Sequence, residues 1–194
     1  LAVNALRREI SRDSGDVLVT GAAGGVGSIA IALLSELGYH VIASTGRYES
    51  EAGYLHGLGA STIIDRAELG TEVGRPLQSV RWAGAIDTVG STTLSNVLAA
   101  TGERGLVVAC GLAQGPDLPS TVMPFILRAV ALRGINSGGS PLPVRRDAWE
   151  LLSAHLDRDL LASLTEVIAL DQAAHHAQRL LRGDVRGRIA VQIG

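Results

Sequence analysis

The chain has 194 residues, 46% of them hydrophobic, enough to bury one ordinary domain with an appendage. A net charge of -2 and only 3% aromatic residues exclude a surface built for nucleic acid or anionic lipid. No apolar run reaches the roughly 20 residues that span a bilayer, and the first residues do not read as a signal peptide, so a cytoplasmic protein is expected.

All 17 basic residues are arginine. This removes any phosphate loop ending in Gly-Lys-Ser/Thr and any lysine-dependent catalysis. The single cysteine, Cys110, excludes an intrachain disulfide and a multi-cysteine metal site among these residues. The chain opens at Leu1 inside a helical pattern, and the expectation is that further residues precede it.

Val3, Leu6 and Ile10 share one face of an amphipathic helix over residues 1–10, which Ser14-Gly15-Asp16 ends. The stretch 17–27, Val-Leu-Val-Thr-Gly-Ala-Ala-Gly-Gly-Val-Gly, is a buried strand running into a glycine cluster. An uncharged apolar run over 28–35 then reads as a buried helix that stops at Gly38. A second strand over 40–44, a helix over 49–58 closing at Gly59 and a third strand over 62–65 follow. Residues 66–81 read as a loop. Strand four covers 83–88, a helix 92–100, and strand five 105–110, apolar throughout as a strand covered on both faces should be. A proline-bearing loop over 111–124 and a short helix precede strand six at 131–135. The expected fold is α/β, a Rossmann-type doubly wound parallel sheet of order 3-2-1-4-5-6 over residues 1–141. From 142 to 194 the pattern changes to helices around Trp149, Leu152 and Leu156 and over 173–181. The chain closes on a strand over 186–193 that has no obvious partner nearby.

The glycine cluster spaces as Ala22-x-Gly24-x-x-Gly27, a dinucleotide fingerprint with alanine at its first glycine position. Strand before, helix behind and strand after are the context that gives this spacing meaning. Glycines admit a pyrophosphate close to the backbone, and the amides and positive dipole end of the new helix attract its charge. At the end of the second strand, where an acidic residue would take the ribose hydroxyl of NAD, stands Ser44-Thr45-Gly46-Arg47. Two hydroxyls and a guanidinium suit a 2′-phosphate that a carboxylate would repel, so NADPH is expected over NADH.

Five stretches in order make the resemblance specific. They are the glycine turn, Leu-Gly-Tyr-His-Val-Ile-Ala-Ser-Thr-Gly-Arg over 37–47, Trp-Ala-Gly-Ala-Ile-Asp-Thr-Val-Gly over 82–90, Ala-Cys-Gly-Leu over 109–112 and Met-Pro-Phe-Ile-Leu-Arg over 123–128. Together they resemble the quinone oxidoreductase branch of the medium-chain dehydrogenase/reductases, and within it the acryloyl-CoA reductases. The resemblance implies an NADPH-dependent reductase without catalytic zinc. It would transfer hydride to the β-carbon of an activated alkene, an enoyl-CoA thioester or a quinone or enone, its small-molecule substrate.

The resemblance also implies that a GroES-like catalytic domain precedes these residues and that the C-terminal strand returns to it. The fragment alone is then expected to be inactive. By the same resemblance Ala23, Gly24, Gly25, Val26 and Gly27 meet the pyrophosphate, and Ser44, Thr45 and Arg47 the adenosine phosphate. Val89, Gly111 and Leu112 lie along the nicotinamide ribose and ring, with Asn136 and Ser137 as candidates for the carboxamide. No catalytic acid is assigned, and the strand-six edge is where a homodimer would form.

The spacing Thr20-Gly21-x-x-x-Gly25-x-Gly27 also fits the short-chain dehydrogenases, but their Tyr-x-x-x-Lys pair cannot exist without lysine. A module that binds NADP without turnover is the alternative outside enzymes. Cys110 reads as a small buried side chain, His175 and His176 as helix-surface residues pointing about 100° apart, and Asp87 as strand-end packing. Tyr39, Tyr48 and Tyr54 read as surface or partly buried aromatics.

Overall fold

The computed structural model describes residues 1–194. Six strands form one parallel sheet: β1 (Val17–Val19), β2 (Val41–Thr45), β3 (Thr62–Asp65), β4 (Trp82–Asp87), β5 (Thr101–Ala109) and β6 (Ala131–Gly134). Their order is β3-β2-β1-β4-β5-β6, as expected. The helices are α1 (Ala2–Leu6), α2 (Gly25–Glu36), α3 (Tyr48–Gly57), α4 (Ser91–Ala99), α5 (Met123–Leu127), α6 (Leu142–His155), α7 (Arg158–Ser163) and α8 (Ala173–Leu181).

The sheet is apolar on both faces, and strand periodicity divides it into two cores. Val17, Val19, Val41, Ala43, Ile86 and Val108 face α1, α2 and α3, while Leu18, Ile42, Ile64, Ala85 and Val107 face α4. Each fully buried valine or leucine contributes about 1.5–3 kcal/mol on leaving water. On the α4 face, Trp82 is 2% exposed and donates its indole N–H to the Val97 carbonyl and Thr101 hydroxyl, both at 3.1 Å. That pair of bonds satisfies the polar atom of the largest buried side chain.

Several boundaries differ from the sequence reading for local reasons. Helix α1 ends at Leu6, where the N–H groups of Glu9 and Ile10 both return to the Leu6 carbonyl, although Val3, Leu6 and Ile10 are buried as expected. Helix α2 begins at Gly25, so half of the glycine cluster lies in its first turn. It stops as expected at Gly38, whose φ of +83° lets Tyr39 N–H reach back to the Leu34 carbonyl. Strand β5 starts four residues early, at Thr101, and tolerates Arg104 at φ +57°.

The C-terminal strand does find a partner. Strand β7 (Thr165–Ala169), unexpected from sequence, pairs in parallel with β8 (Arg188–Gln192), with α8 as the crossover. Tyr39 is buried and donates to the Ile10 carbonyl at 2.7 Å. His176 is 9% exposed and lies beside Arg179 and Glu166, so it is a packed residue of the tail and not a surface one.

Candidate functional site

The carboxyl ends of β1, β2, β4 and β5 open onto one crevice, floored by the glycine turn. Gly21 has φ +58°, and a methyl there would stand 2.2 Å from the Thr88 hydroxyl. A methyl on Gly27 would meet the Gly21 carbonyl at 2.5 Å, so α2 is pressed against the turn that launches it. Gly24 caps α2 without a side chain, and the N–H groups of Val26 and Gly27 form no hydrogen bond, while the Gly25 N–H faces the Gly187 carbonyl. Two free donors and a helix dipole thus point out of a turn in which only the methyls of Ala22 and Ala23 precede Val26. An anionic group is what such a turn holds.

The C-terminal segment closes one side of this turn, a contact that sequence reading missed. Gly187 donates its N–H to the Ala23 carbonyl at 2.9 Å and pairs with Gly24 as an isolated parallel bridge. The Arg188 guanidinium donates to the Gly25 carbonyl at 2.9 Å. A cation therefore stands beside the two free amides, brought there from the far end of the chain.

At the end of β2 the expected residues are arranged differently from the reading. Ser44 and Thr45 are both buried, and the Thr45 hydroxyl accepts the Arg47 N–H at 3.2 Å. The Arg47 guanidinium, expected to face the coenzyme, instead donates to the carbonyls of Gly183 and, at 3.0 Å, Val185. Glu51, 4% exposed on α3, accepts from Arg186 at 2.6 Å and stands 3.7 Å from Arg47. Arg186 also covers the Tyr54 ring at 4.8 Å, and the Tyr54 hydroxyl donates to Ser28 at 2.9 Å. Residues 183–188 are thereby strapped across α3 and the glycine turn.

Beyond the strap, an open groove of about 620 Å³ runs along the ends of β2 and β3, lined by Gly46, Arg47, Tyr48, Ser50, Asp65 and Glu68 among others.

On the other side, Asp87 is wholly buried and accepts from the Thr20 hydroxyl at 2.7 Å, Gly90 N–H at 2.8 Å and Val89 N–H at 3.3 Å. Burial raises its carboxyl above the ordinary value, and these three donors oppose the rise. Asp87 is a strand-end anchor, as the sequence reading held. It fixes Val89 at the mouth of the crevice.

Gly111 lies against Thr88, where a methyl would meet the Thr88 carbonyl at 2.4 Å, and Leu112 next to it is 64% exposed. The Cys110 thiol is pushed up to about 11, first by burial and then by the Asp87 charge. Such a thiol is a poor nucleophile and a poor metal ligand. Asn136 and Ser137 follow β6 at the same end of the sheet, both exposed, with the Asn136 carbonyl oxygen of the side chain accepting Gly139 N–H at 3.0 Å. Ala23 to Gly27, Val89, Gly111 and Leu112 thus share one crevice. Ser44 is shut away from it and Arg47 is turned to the strap.

No group of three or more His, Cys, Asp or Glu side chains converges in the structure, and no helix is long and apolar enough to cross a membrane.

A parallel sheet of this order with a glycine turn at its switch point is a Rossmann-type dinucleotide-binding domain. The sequence pattern described as zinc-binding dehydrogenase matches residues 25–154, and the chain belongs to that family. It is 46% identical to the probable acrylyl-CoA reductase AcuI of Escherichia coli K12, over 92% of this chain and 54% of that protein. The yhdH oxidoreductase of Salmonella enterica, solved in complex with NADP, superposes with a TM-score of 0.95 at 47% identity, covering 100% of this chain and 59% of that one. Bacillus subtilis yhfP, solved with NAD bound, gives a TM-score of 0.92 at 39% identity, over 99% and 59% of the two chains. The chain thus spans a little over half the length of these relatives.

Proposed function

We propose that this chain is the coenzyme-binding part of an NADPH-dependent reductase acting on an activated alkene, an acryloyl-CoA-like enoyl thioester or a quinone or enone. The observation that carries the reading is the pair of free N–H groups at Val26 and Gly27 at the start of α2, with Arg188 beside them. Donors and cation match a pyrophosphate, and the bare glycine backbone leaves room for it. Support for the phosphorylated coenzyme comes from yhdH, solved with NADP, and support for the substrate class from the name of AcuI.

The residues of the crevice have separable roles. Ala23 to Gly27 hold the pyrophosphate through backbone amides, and Arg188 neutralises its charge. Gly111 packs on the Thr88 backbone and so brings the loop after β5 beside the nicotinamide ribose, while Val89 and Leu112 exclude water along the ring. When bound, the reduced coenzyme supplies a hydride. Asn136 and Ser137 are positioned after β6 to receive the carboxamide.

Residues 142–194 are then the return path toward a catalytic domain, and the open edge of β6 is the place for a second copy. Titrating the protein with NADPH and NADH by fluorescence tests the coenzyme. At least tenfold tighter binding of NADPH is expected, a difference of about 1.4 kcal/mol. Equal affinities overturn that assignment. Turnover of acryloyl-CoA against simple quinones, with NADPH oxidation followed at fixed enzyme, distinguishes the substrate classes.

A further inference from the structure

Helix α4 starts after Gly90, which has no side chain to cap it, and no acidic residue stands in its first turn. Both roles are filled from another part of the chain. The Thr93 N–H, the kind of donor that an N-cap side chain ordinarily satisfies, donates to the side-chain oxygen of Gln114 at 3.1 Å. The Ser91 hydroxyl donates to Asp117 at 3.0 Å, which sets a carboxylate at the positive end of the helix dipole. Gln114 and Asp117 belong to the loop after β5, the same loop that carries Gly111 and Leu112.

The backbone explains why the cap comes from elsewhere. Gly90 has φ +78°, and a carbon added to it would stand 2.5 Å from the Gly115 carbonyl and 3.3 Å from Leu112 Cα. The loop therefore rests on the bare backbone of Gly90, and a capping serine or aspartate at that position would push it away. Gly90 and Gly115 form an isolated parallel bridge, and the Gln114 N–H donates to the Val89 carbonyl at 2.8 Å.

Ser91 is held at φ +49°, a conformation that a side-chain-bearing residue keeps only where its surroundings over-determine it. Asp117 grips it there. Leu112, Gln114 and Asp117 are all exposed, so polar bonds to α4 and to the end of β4, and not burial, keep this loop in place.

We infer that Gln114 and Asp117 are positioning residues: by capping α4 they hold Gly111 and Leu112 where the nicotinamide half of the coenzyme lies. The inference rests on the coenzyme reading proposed above and deepens it. Binding of one half of the dinucleotide depends on a helix cap, while binding of the other half does not. Loss of an N-cap bond is expected to raise the open fraction of the loop about fivefold.

The test compares wild type with Gln114→Leu, Gln114→Glu, Asp117→Ala and Asp117→Asn, each titrated with NADPH and with 2′,5′-ADP, which lacks the nicotinamide. Leucine at 114 and alanine at 117 remove the acceptor, whereas glutamate and asparagine keep one. Gln114→Leu and Asp117→Ala are expected to weaken NADPH about fivefold and leave 2′,5′-ADP unchanged. Gln114→Glu and Asp117→Asn are expected to restore NADPH binding. Without nucleotide, amide hydrogen exchange across residues 111–117 is expected to quicken about fivefold in the two acceptor-free variants alone.

The inference is overturned if NADPH and 2′,5′-ADP weaken in parallel, as a general loosening of the domain would give, or if NADPH binding is unchanged. It also falls if the acceptor-keeping variants bind NADPH as weakly as the others. Wild type that takes up neither NADPH nor 2′,5′-ADP defeats the underlying coenzyme reading instead. Gln114 and Asp117 are exposed, so their variants fold, and melting curves verify that they do.

Discussion

The Thr20 hydroxyl donates to Asp87 at 2.7 Å and accepts the Thr88 N–H at 3.0 Å, joining the ends of β1 and β4. Asp87 has no cation within reach, so three hydrogen bonds alone offset the burial of its charge. Burial raises this carboxyl above its ordinary value of 3.8. A carboxyl raised on folding contributes stability below about pH 3.8, and that stability is lost as pH rises through the folded value. Asp87→Asn cannot titrate. The melting temperature of wild type minus that of Asp87→Asn should therefore fall as pH is raised from about 3.5, and a flat difference up to about pH 8 refutes the argument.

Gly27→Ala should destabilise the protein by about 1–3 kcal/mol and sharply weaken nucleotide binding. Its methyl would stand 2.5 Å from the Gly21 carbonyl and 2.8 Å from the Ala22 backbone, and backbone gives way poorly. Gly53→Ala is the control. It lies in α3 with nothing within 4 Å of the added carbon, and should stabilise by about 0.5–1 kcal/mol through helix propensity alone. Thermal melts of the two variants should shift in opposite directions.

Glu51→Ala removes the carboxylate that Arg186 grips at 2.6 Å. Arg186 is half exposed, so solvent screening holds the expected loss to about 1 kcal/mol. The strap should open more often in proportion, about fivefold. With no lysine in the chain, trypsin cuts only at arginine, and cleavage after Arg186 followed by mass spectrometry reads the opening directly. An unchanged cleavage rate would mean that Glu51 does not hold the strap.

Cys110, the sole thiol, should resist alkylation. With its thiol at about 11, roughly one molecule in a thousand carries the thiolate at pH 8. Labelling should accelerate about tenfold per pH unit and level off only near pH 11, and Asp87→Asn should speed it at fixed pH by removing the neighbouring charge. Rapid labelling of wild type at pH 8 would contradict both the burial and the charge argument.

The sheet was readable from sequence because most strands hold a short apolar run ended by glycine or a polar turn, and most crossovers between them are helical. Gly38 and Gly59, both at positive φ, were readable as helix stops for the same local reason. Strand β7 was not. Of its five residues only Ile168 is buried, and Glu166 and Val167 face solvent, so no apolar alternation marks it among the helices around it. The capture of Arg47 by Gly183 and Val185 joins residues more than 130 positions apart, as does the contact of Arg188 with Gly25. Nothing in the local chemistry of Ser-Thr-Gly-Arg announces it. Arg66, whose guanidinium lies across Gly46, sat in a stretch read only as loop, and its placement follows from pairing register between β2 and β3.

Gly187 is the last residue before β8, and its N–H reaches the carbonyl of Ala23. One peptide group thus couples the closing strand of the chain to the tightest bend in the crevice. Peeling that strand away would therefore strip the bend of a hydrogen bond and of the Arg188 guanidinium together.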